Sequence, residues 1–183
     1  RQNFRITQKE ADLKEILIKT GVIVPDSNSY RAGKGAVISI SRESPAYLRA
    51  SFTAHESWHG IFFTDSNFRN AVAAVYYTVD ENTMKFMKGY WASQETLGYD
   101  QDDEFLMQNE FMAYLMQQPL RFVSKYFINV ANRGSVSAYQ KELCEWVKRT
   151  EAATFEDACR VLDSYAYDNW GLAAGRVAMI TRN

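Results

Sequence analysis

Ser44-Pro45-Ala46-Tyr47-Leu48-Arg49-Ala50-Ser51-Phe52-Thr53-Ala54-His55-Glu56-Ser57-Trp58-His59-Gly60 is the stretch on which the reading of this chain turns. Ser44 offers a capping hydroxyl and Pro45 a first helical residue that needs no N–H, so the pair opens a helix. No breaker follows until Gly60, which predicts a helix from about Pro45 to Phe62. Tyr47, Leu48, Phe52, His55, His59 and Phe62 or Phe63 fall at the three- and four-residue spacing of a buried stripe, so both imidazoles should face inward. The chain has 2 His, and both lie here, with Glu56 directly after the first. Four residues advance a helix by about 6 Å and turn it by about 40° beyond one full turn. The two imidazoles therefore leave one face and can share one metal ion.

HExxH on a helix is a zinc-hydrolase pattern with a mechanical reason behind it. Glu56 leans toward the shared ion without binding it, from where it can take a proton from a metal-activated water. A catalytic zinc takes three protein ligands and leaves a position for water. No third His exists, and Cys144 and Cys159 lie in separate helical segments without a CxxC spacing, so the third ligand should be Asp or Glu. A helix predicted over Asp100 to Gln118, with acids in its first turn and Pro119 as its stop, offers Asp102, Asp103, Glu104 and Glu110. Glu104 shares its face with Asp100, Gln101 and Gln108 and reads as solvated. Glu110 has Leu106 and Met107 one turn before it and Ala113 and Tyr114 one turn after. An ionised carboxylate on an apolar stripe is costly without a partner, and an ion held by two neutral imidazoles supplies one. Small Ala113 would let this helix approach the motif helix closely. The alternative is a surface Glu on a helix whose faces lie otherwise.

His55, Glu56 and His59, together with Asn109-Glu110-Phe111-Met112-Ala113-Tyr114, resemble the gluzincins, zinc metallopeptidases with HExxH on one helix and a Glu ligand on a later one. Thr53, Ala54, Ser57, Trp58 and Gly60 are uncharged, as is usual around that motif. The resemblance covers roughly residues 36 to 118. It implies a zincin-like fold of the α+β class, mostly α, with a small N-terminal β-sheet and an active-site helix packed against a helical subdomain. It also implies one Zn2+ per chain on His55, His59 and Glu110, and Glu56 as general base in the hydrolysis of a peptide or protein substrate. The predicted strand Ala36 to Ser41 sits where such enzymes pair with extended substrate. There are departures. The separation of His59 from Glu110 is long and implies an inserted helical segment. Tyr114 stands where the family carries an Asp that supports a ligand imidazole. No further His is left to stabilise an oxyanion, so Tyr114, Tyr165, Tyr167 and Arg176 are the unranked candidates.

Around this centre the chain reads as one domain over residues 1–183, or one compact piece of a longer polypeptide, since it opens on Arg1. Hydrophobic residues at 46% and aromatics at 14% suffice for a core. A net charge of −1 gives no footprint for nucleic acid or an anionic membrane, and no apolar run is long enough to span a bilayer. The two cysteines read as buried thiols rather than a disulfide.

Thr7-Gln8-Lys9-Glu10 is a capping box for a first helix that Gly21 stops. Val22 to Pro25 reads as a short strand running into an Asp26–Ser29 loop. Thr64 to Asn67 caps a helix over Phe68 to Val79. Glu81 to Tyr99 is less regular, with Gly89 and Gly98 as breaks and a short helix near Thr83 to Lys88. Two helices, about Ser135 to Thr150 and Thr154 to Trp170, complete the pattern, the second capped by Thr154. Tyr76-Tyr77, Phe86 and Tyr90-Trp91 read as core or cleft lining, and Lys141 to Arg149 as a solvated face. Two rival readings remain beside the peptidase. One is a zinc-bearing scaffold that binds a partner without turnover, and the other a helical core in which His55 and His59 pack without metal. The retained Glu56 counts against the first, and the paired ligand spacing against the second.

Overall fold

The computed structural model describes residues 5–94 and 96–175. In chain order its elements are α1 (Gln8–Lys19), β1 (Ile23–Asp26), β2 (Ser29–Ala32), α2 (Ala46–Thr64), α3 (Ser66–Thr78), α4 (Glu81–Ala92), α5 (Glu104–Met116), α6 (Val123–Ala131), α7 (Gly134–Tyr139), α8 (Lys141–Arg149) and α9 (Ala153–Trp170). The described residues are thus mostly helical with one small antiparallel sheet, the α+β, mainly α class that the sequence predicts. No described helix is long and apolar enough to cross a membrane.

The N-terminal part is a peripheral unit. Thr7 and Glu10 form the expected capping box, the hydroxyl accepting from Glu10 N–H at 3.3 Å and the carboxylate from Thr7 N–H at 2.6 Å. Gly21, at φ +74°, turns the chain out of α1 in the left-handed conformation that glycine adopts without strain. β1 then pairs with β2 across Asp26 and Ser29. β2 has no counterpart in the sequence reading, which places its first residue, Ser29, in a loop; all four of its residues are exposed, so no buried face marks it. α1 buries none of its residues.

Ala36 to Ser41 is not a strand, contrary to expectation. The two-stranded hairpin leaves its edges free, but the segment runs along neither of them, and β propensity alone does not make a ladder. The segment instead runs over α2, where Ala36 and Ile38 lie 3.6 and 3.8 Å from the position a Cβ on Gly60 would take. Among the described residues no backbone hydrogen bond engages residues 36–40.

α2 starts one residue later than Ser44-Pro45 predicts. Pro45 occupies the cap and no side chain satisfies the first turn. Arg49 ties the approach down instead, donating Nε to Ser44 O at 2.9 Å and Nη2 to Arg42 O at 2.8 Å. The buried face of α2 is Ala54, Ser57, Trp58 and Phe62. Tyr47, Phe52 and Phe63 are exposed by 82%, 40% and 55%, so the stripe is rotated from the one expected. Both histidines sit at the border of that buried face.

α5 is the central helix. Every residue from Asn109 to Met116 is buried, and the helix packs against α2, α3 and α9. A helix apolar on all sides belongs inside a helical layer, and this one supplies its middle. It begins at Glu104 under an Asp103 cap, later than predicted, and ends before Pro119.

α4 runs through Gly89, which is therefore not a break. A Cβ there would collide with the Gln140 side-chain amide, whose Nε2 donates to Phe86 O at 3.0 Å. The same Gln140 leaves helical geometry at φ −147°, which splits the predicted 135–150 helix into α7 and α8. α6 has no counterpart in the sequence reading. α9 starts after left-handed Glu151 and Ala152 rather than from a Thr154 cap. Cys144 and Cys159 are both free and buried, as expected of packing thiols. Tyr76, Phe86, Tyr90 and Trp91 join the core, while Tyr77 is exposed.

Candidate metal centre

α2 and α5 pack so that the border of the α2 stripe meets Glu110. His55 Nε2 lies 3.7 Å from Glu110 Oε2, and His59 Nε2 lies 3.6 Å from Glu110 Oε1. These separations exceed the 2.7–3.2 Å of an N–H···O hydrogen bond. They approach the roughly 3.3 Å that separates neighbouring ligands about 2 Å from a tetrahedral ion. One ligand atom from each of the three side chains lies within 4.8 Å of the others. The structure thus brings together His55, His59 and Glu110, while the alternatives Asp102, Asp103 and Glu104 remain exposed at the start of α5.

The donor set fits zinc, with two imidazole nitrogens and one carboxylate. The polar accounting fits a cation too. Glu110 Oε2 is buried without a hydrogen-bond partner, a costly state for a carboxylate oxygen that a dication would relieve. Burial pushes the Glu110 pKa up, and the neighbouring Glu56 adds to that, against the opposing effects of His59 and Tyr99. Burial and the adjacent His59 push the His55 pKa down to about 4, which keeps its imidazole neutral and able to act as a ligand.

The two imidazoles are held by different means. His59 Nδ1 donates to Asn109 Oδ1 at 2.8 Å, which leaves the Nε2 lone pair facing Glu110. His55 has no such partner: its Nδ1 is buried and unbonded, and Gln117 comes close without reaching hydrogen-bond geometry. Packing holds this ring instead. Tyr114 meets it edge to face at 5.0 Å between centroids, and His59 does so at 4.6 Å. The aromatic at the position where the resemblance led one to look for an Asp thus braces the ring without a hydrogen bond.

The three residues floor a cleft of about 350 Å³, walled by Ala36, Val37, Gly60, Phe63, Tyr99 and Leu106 and including Glu56. His55 and His59 keep 13% and 14% of their side-chain surface open and Glu110 8%, so the centre is reachable from that cleft. Larger depressions between α3 and α9 and beside α6 contain none of these groups.

Of the oxyanion candidates read from the sequence, Tyr114 is buried behind His55. Tyr165 packs on Phe68 and Trp170, Tyr167 is exposed on α9, and Arg176 lies outside the described residues. Sequence reasoning missed Tyr99, the tyrosine that lines the cleft. Burial and the Glu110 charge both push its pKa up, so it stays a hydroxyl donor. It follows left-handed Gly98 in an irregular stretch and carries no pattern of its own. Asn109 did leave a signal, a short amide beside a carboxylate at the start of the buried run that carries α5 to its end at Met116.

Compared with known proteins, the chain matches no family model, and no curated protein and no solved structure matches it either.

Proposed function

We propose that this chain is a zinc-dependent metallopeptidase of the gluzincin type, with one zinc ion per chain on His55, His59 and Glu110. The observation that carries the reading is the convergence of those three ligand atoms within 4.8 Å on a cleft floor that also holds Glu56. When bound, the ion supplies a Lewis acid that acidifies water and polarises a carbonyl. The chain's own residues do the rest. Asn109 fixes the tautomer and plane of His59, and Tyr114 braces His55. The Glu56 carboxylate accepts a proton from the attacking water and delivers it to the departing amine nitrogen. The Tyr99 hydroxyl donates to the carbonyl oxygen as negative charge builds there. The free backbone of Ala36 to Ile40 offers donors and acceptors to an extended peptide chain without being a strand itself.

Substituting Glu56→Gln separates catalysis from binding. The variant is expected to hold zinc as the parent does and to lose hydrolysis of a pool of unstructured peptides by about 100-fold or more. Unchanged hydrolysis contradicts the role of Glu56. A parent protein that holds zinc and cleaves nothing contradicts the peptidase and favours a zinc-bearing scaffold.

A further inference from the structure

The two ligand imidazoles are supported unequally. With Nε2 of each ring turned toward Glu110, the proton of a neutral imidazole sits on Nδ1 and needs an acceptor. His59 has one in Asn109 Oδ1, whereas His55 Nδ1 is buried without a partner. A buried donor left unpaired is costly, so the polar side chains within reach of that nitrogen bear on how the ring is held.

α2 and α5 run antiparallel along their contact. Phe62 meets Phe105 at 5.1 Å between ring centroids, His59 meets Asn109, and His55 meets Tyr114. Gln117 stands seven residues beyond Glu110, two helical turns along the same face, which brings it to the His55 end of that contact. Its amide is buried and comes close to two groups, the His55 ring and the Tyr126 hydroxyl. One orientation serves both, with Oε1 toward the imidazole and Nε2 toward the phenol oxygen. Burial pushes the Tyr126 pKa up, so Tyr126 stays a hydroxyl, with Tyr90 as its next polar neighbour. Tyr90 in turn accepts from Arg133 Nη1 at 3.2 Å, and Arg133 is exposed. A row of polar groups thus runs inward from the surface toward the orphaned nitrogen, with Gln117 as its last member.

We propose that Gln117 is the positioning residue of His55: a rotation of its amide lets Oε1 accept from Nδ1–H when Nε2 takes the ion, and Tyr126, backed by Tyr90 and Arg133, holds the amide in that orientation. An ion on Nε2 draws electron density from the ring and makes Nδ1–H the stronger donor, so metal binding and this hydrogen bond reinforce each other. Gln117 touches neither ion nor substrate and is not a catalytic residue. Its role rests on the zinc centre of the metallopeptidase reading, but not on peptide cleavage.

Zinc affinity, measured by competition with a chelating dye, tests this in the parent, Gln117→Met, Gln117→Glu and Tyr126→Phe. Gln117→Met fills similar space without a strong acceptor and is expected to bind zinc about 10–100-fold more weakly. Gln117→Glu keeps an acceptor and should bind close to the parent. Tyr126→Phe frees the amide from behind and should weaken binding in the same direction, by less. A second readout is the His55 Nδ1–H proton, followed by isotope-edited NMR of the zinc-loaded protein. It should exchange slowly with water in the parent and in Gln117→Glu, and rapidly in Gln117→Met, a change that mere packing by Gln117 would not produce. Unchanged affinity in Gln117→Met, equal losses in Gln117→Met and Gln117→Glu, or a rapidly exchanging proton in the zinc-loaded parent overturns the role. That last measurement needs no substitution, so it decides the matter even where a variant does not fold. A parent that takes up no zinc removes the centre and this role together. A parent that binds zinc with the expected dependence on Gln117 and cleaves no peptide keeps the role and removes the peptidase.

Discussion

Asn109 and Tyr114 divide between them the task of steadying the two histidines. His59 gains a directed hydrogen bond at 2.8 Å, whereas His55 is held by ring packing and left with an unbonded nitrogen. A hydrogen bond to the far nitrogen of a ligand imidazole fixes its tautomer and raises its basicity, and losing it costs about 10–100-fold in metal affinity. Asn109→Ala is accordingly expected to weaken zinc binding by about that factor while leaving the helical circular dichroism of the protein unchanged. A zinc titration indistinguishable from the parent's would show that the Asn109 contact does not set the ligand geometry. Much of this site is legible in the residues themselves. Two histidines four apart with a Glu between them, and one carboxylate on an apolar helix, are constraints that backbone geometry and desolvation impose wherever the helices pack. Tyr99 was not legible, because a side chain brought in by an irregular stretch depends on the path of the backbone.

At the scale of elements, local chemistry set some boundaries and tertiary contacts overrode others. Thr7 and Asp65 cap helices where their side chains predict, since the bonds they make are to their own following turn. Gly89 shows the opposite. Read alone, a glycine breaks a helix, yet α4 continues through it because buried Phe86, Met87, Tyr90 and Trp91 hold it on both sides, and the Gln140 amide fills the space that a Cβ would need. Gln140 lies much later in the chain, between α7 and α8, and nothing near Gly89 announces it. Helix propensity favours Ala over Gly by about 1 kcal/mol. The contact argues the other way, because a methyl would displace the amide that bonds Phe86. Gly89→Ala is therefore expected to lower unfolding stability by about 1 kcal/mol, measured by urea denaturation. A stabilised variant would mean that Gln140 moves aside freely. The strand expected over Ala36 to Ser41 fails for a related reason, since a ladder needs a neighbour as well as a sequence.

At the scale of the whole molecule, the core lies between α2 and α9, with α5 at its middle, and the α1–hairpin unit lies on its edge. α1 buries no residue, whereas α5 buries everything from Asn109 onward to its end. Regions with little buried surface open at small free energy, and central ones open only near global unfolding. Amide hydrogen exchange should accordingly be fastest in α1 and the hairpin and slowest in α5. Comparable protection in α1 would mean that it is covered in solution. Glu110 lies on the most deeply buried helix and the two imidazoles on the helix packed against it, which gives the proposed centre a rigid base. Its open side is bordered by Ala36 and Val37 of segment 36–41.

The central claim is that three side chains hold one ion, and metal content tests it most directly. Protein prepared without chelator or a histidine tag should contain one zinc per chain by mass spectrometry, and Glu110→Ala should lose it or hold it far more weakly. Protein that takes up no zinc even when zinc is supplied, or a Glu110→Ala variant that binds it undiminished, would contradict the account.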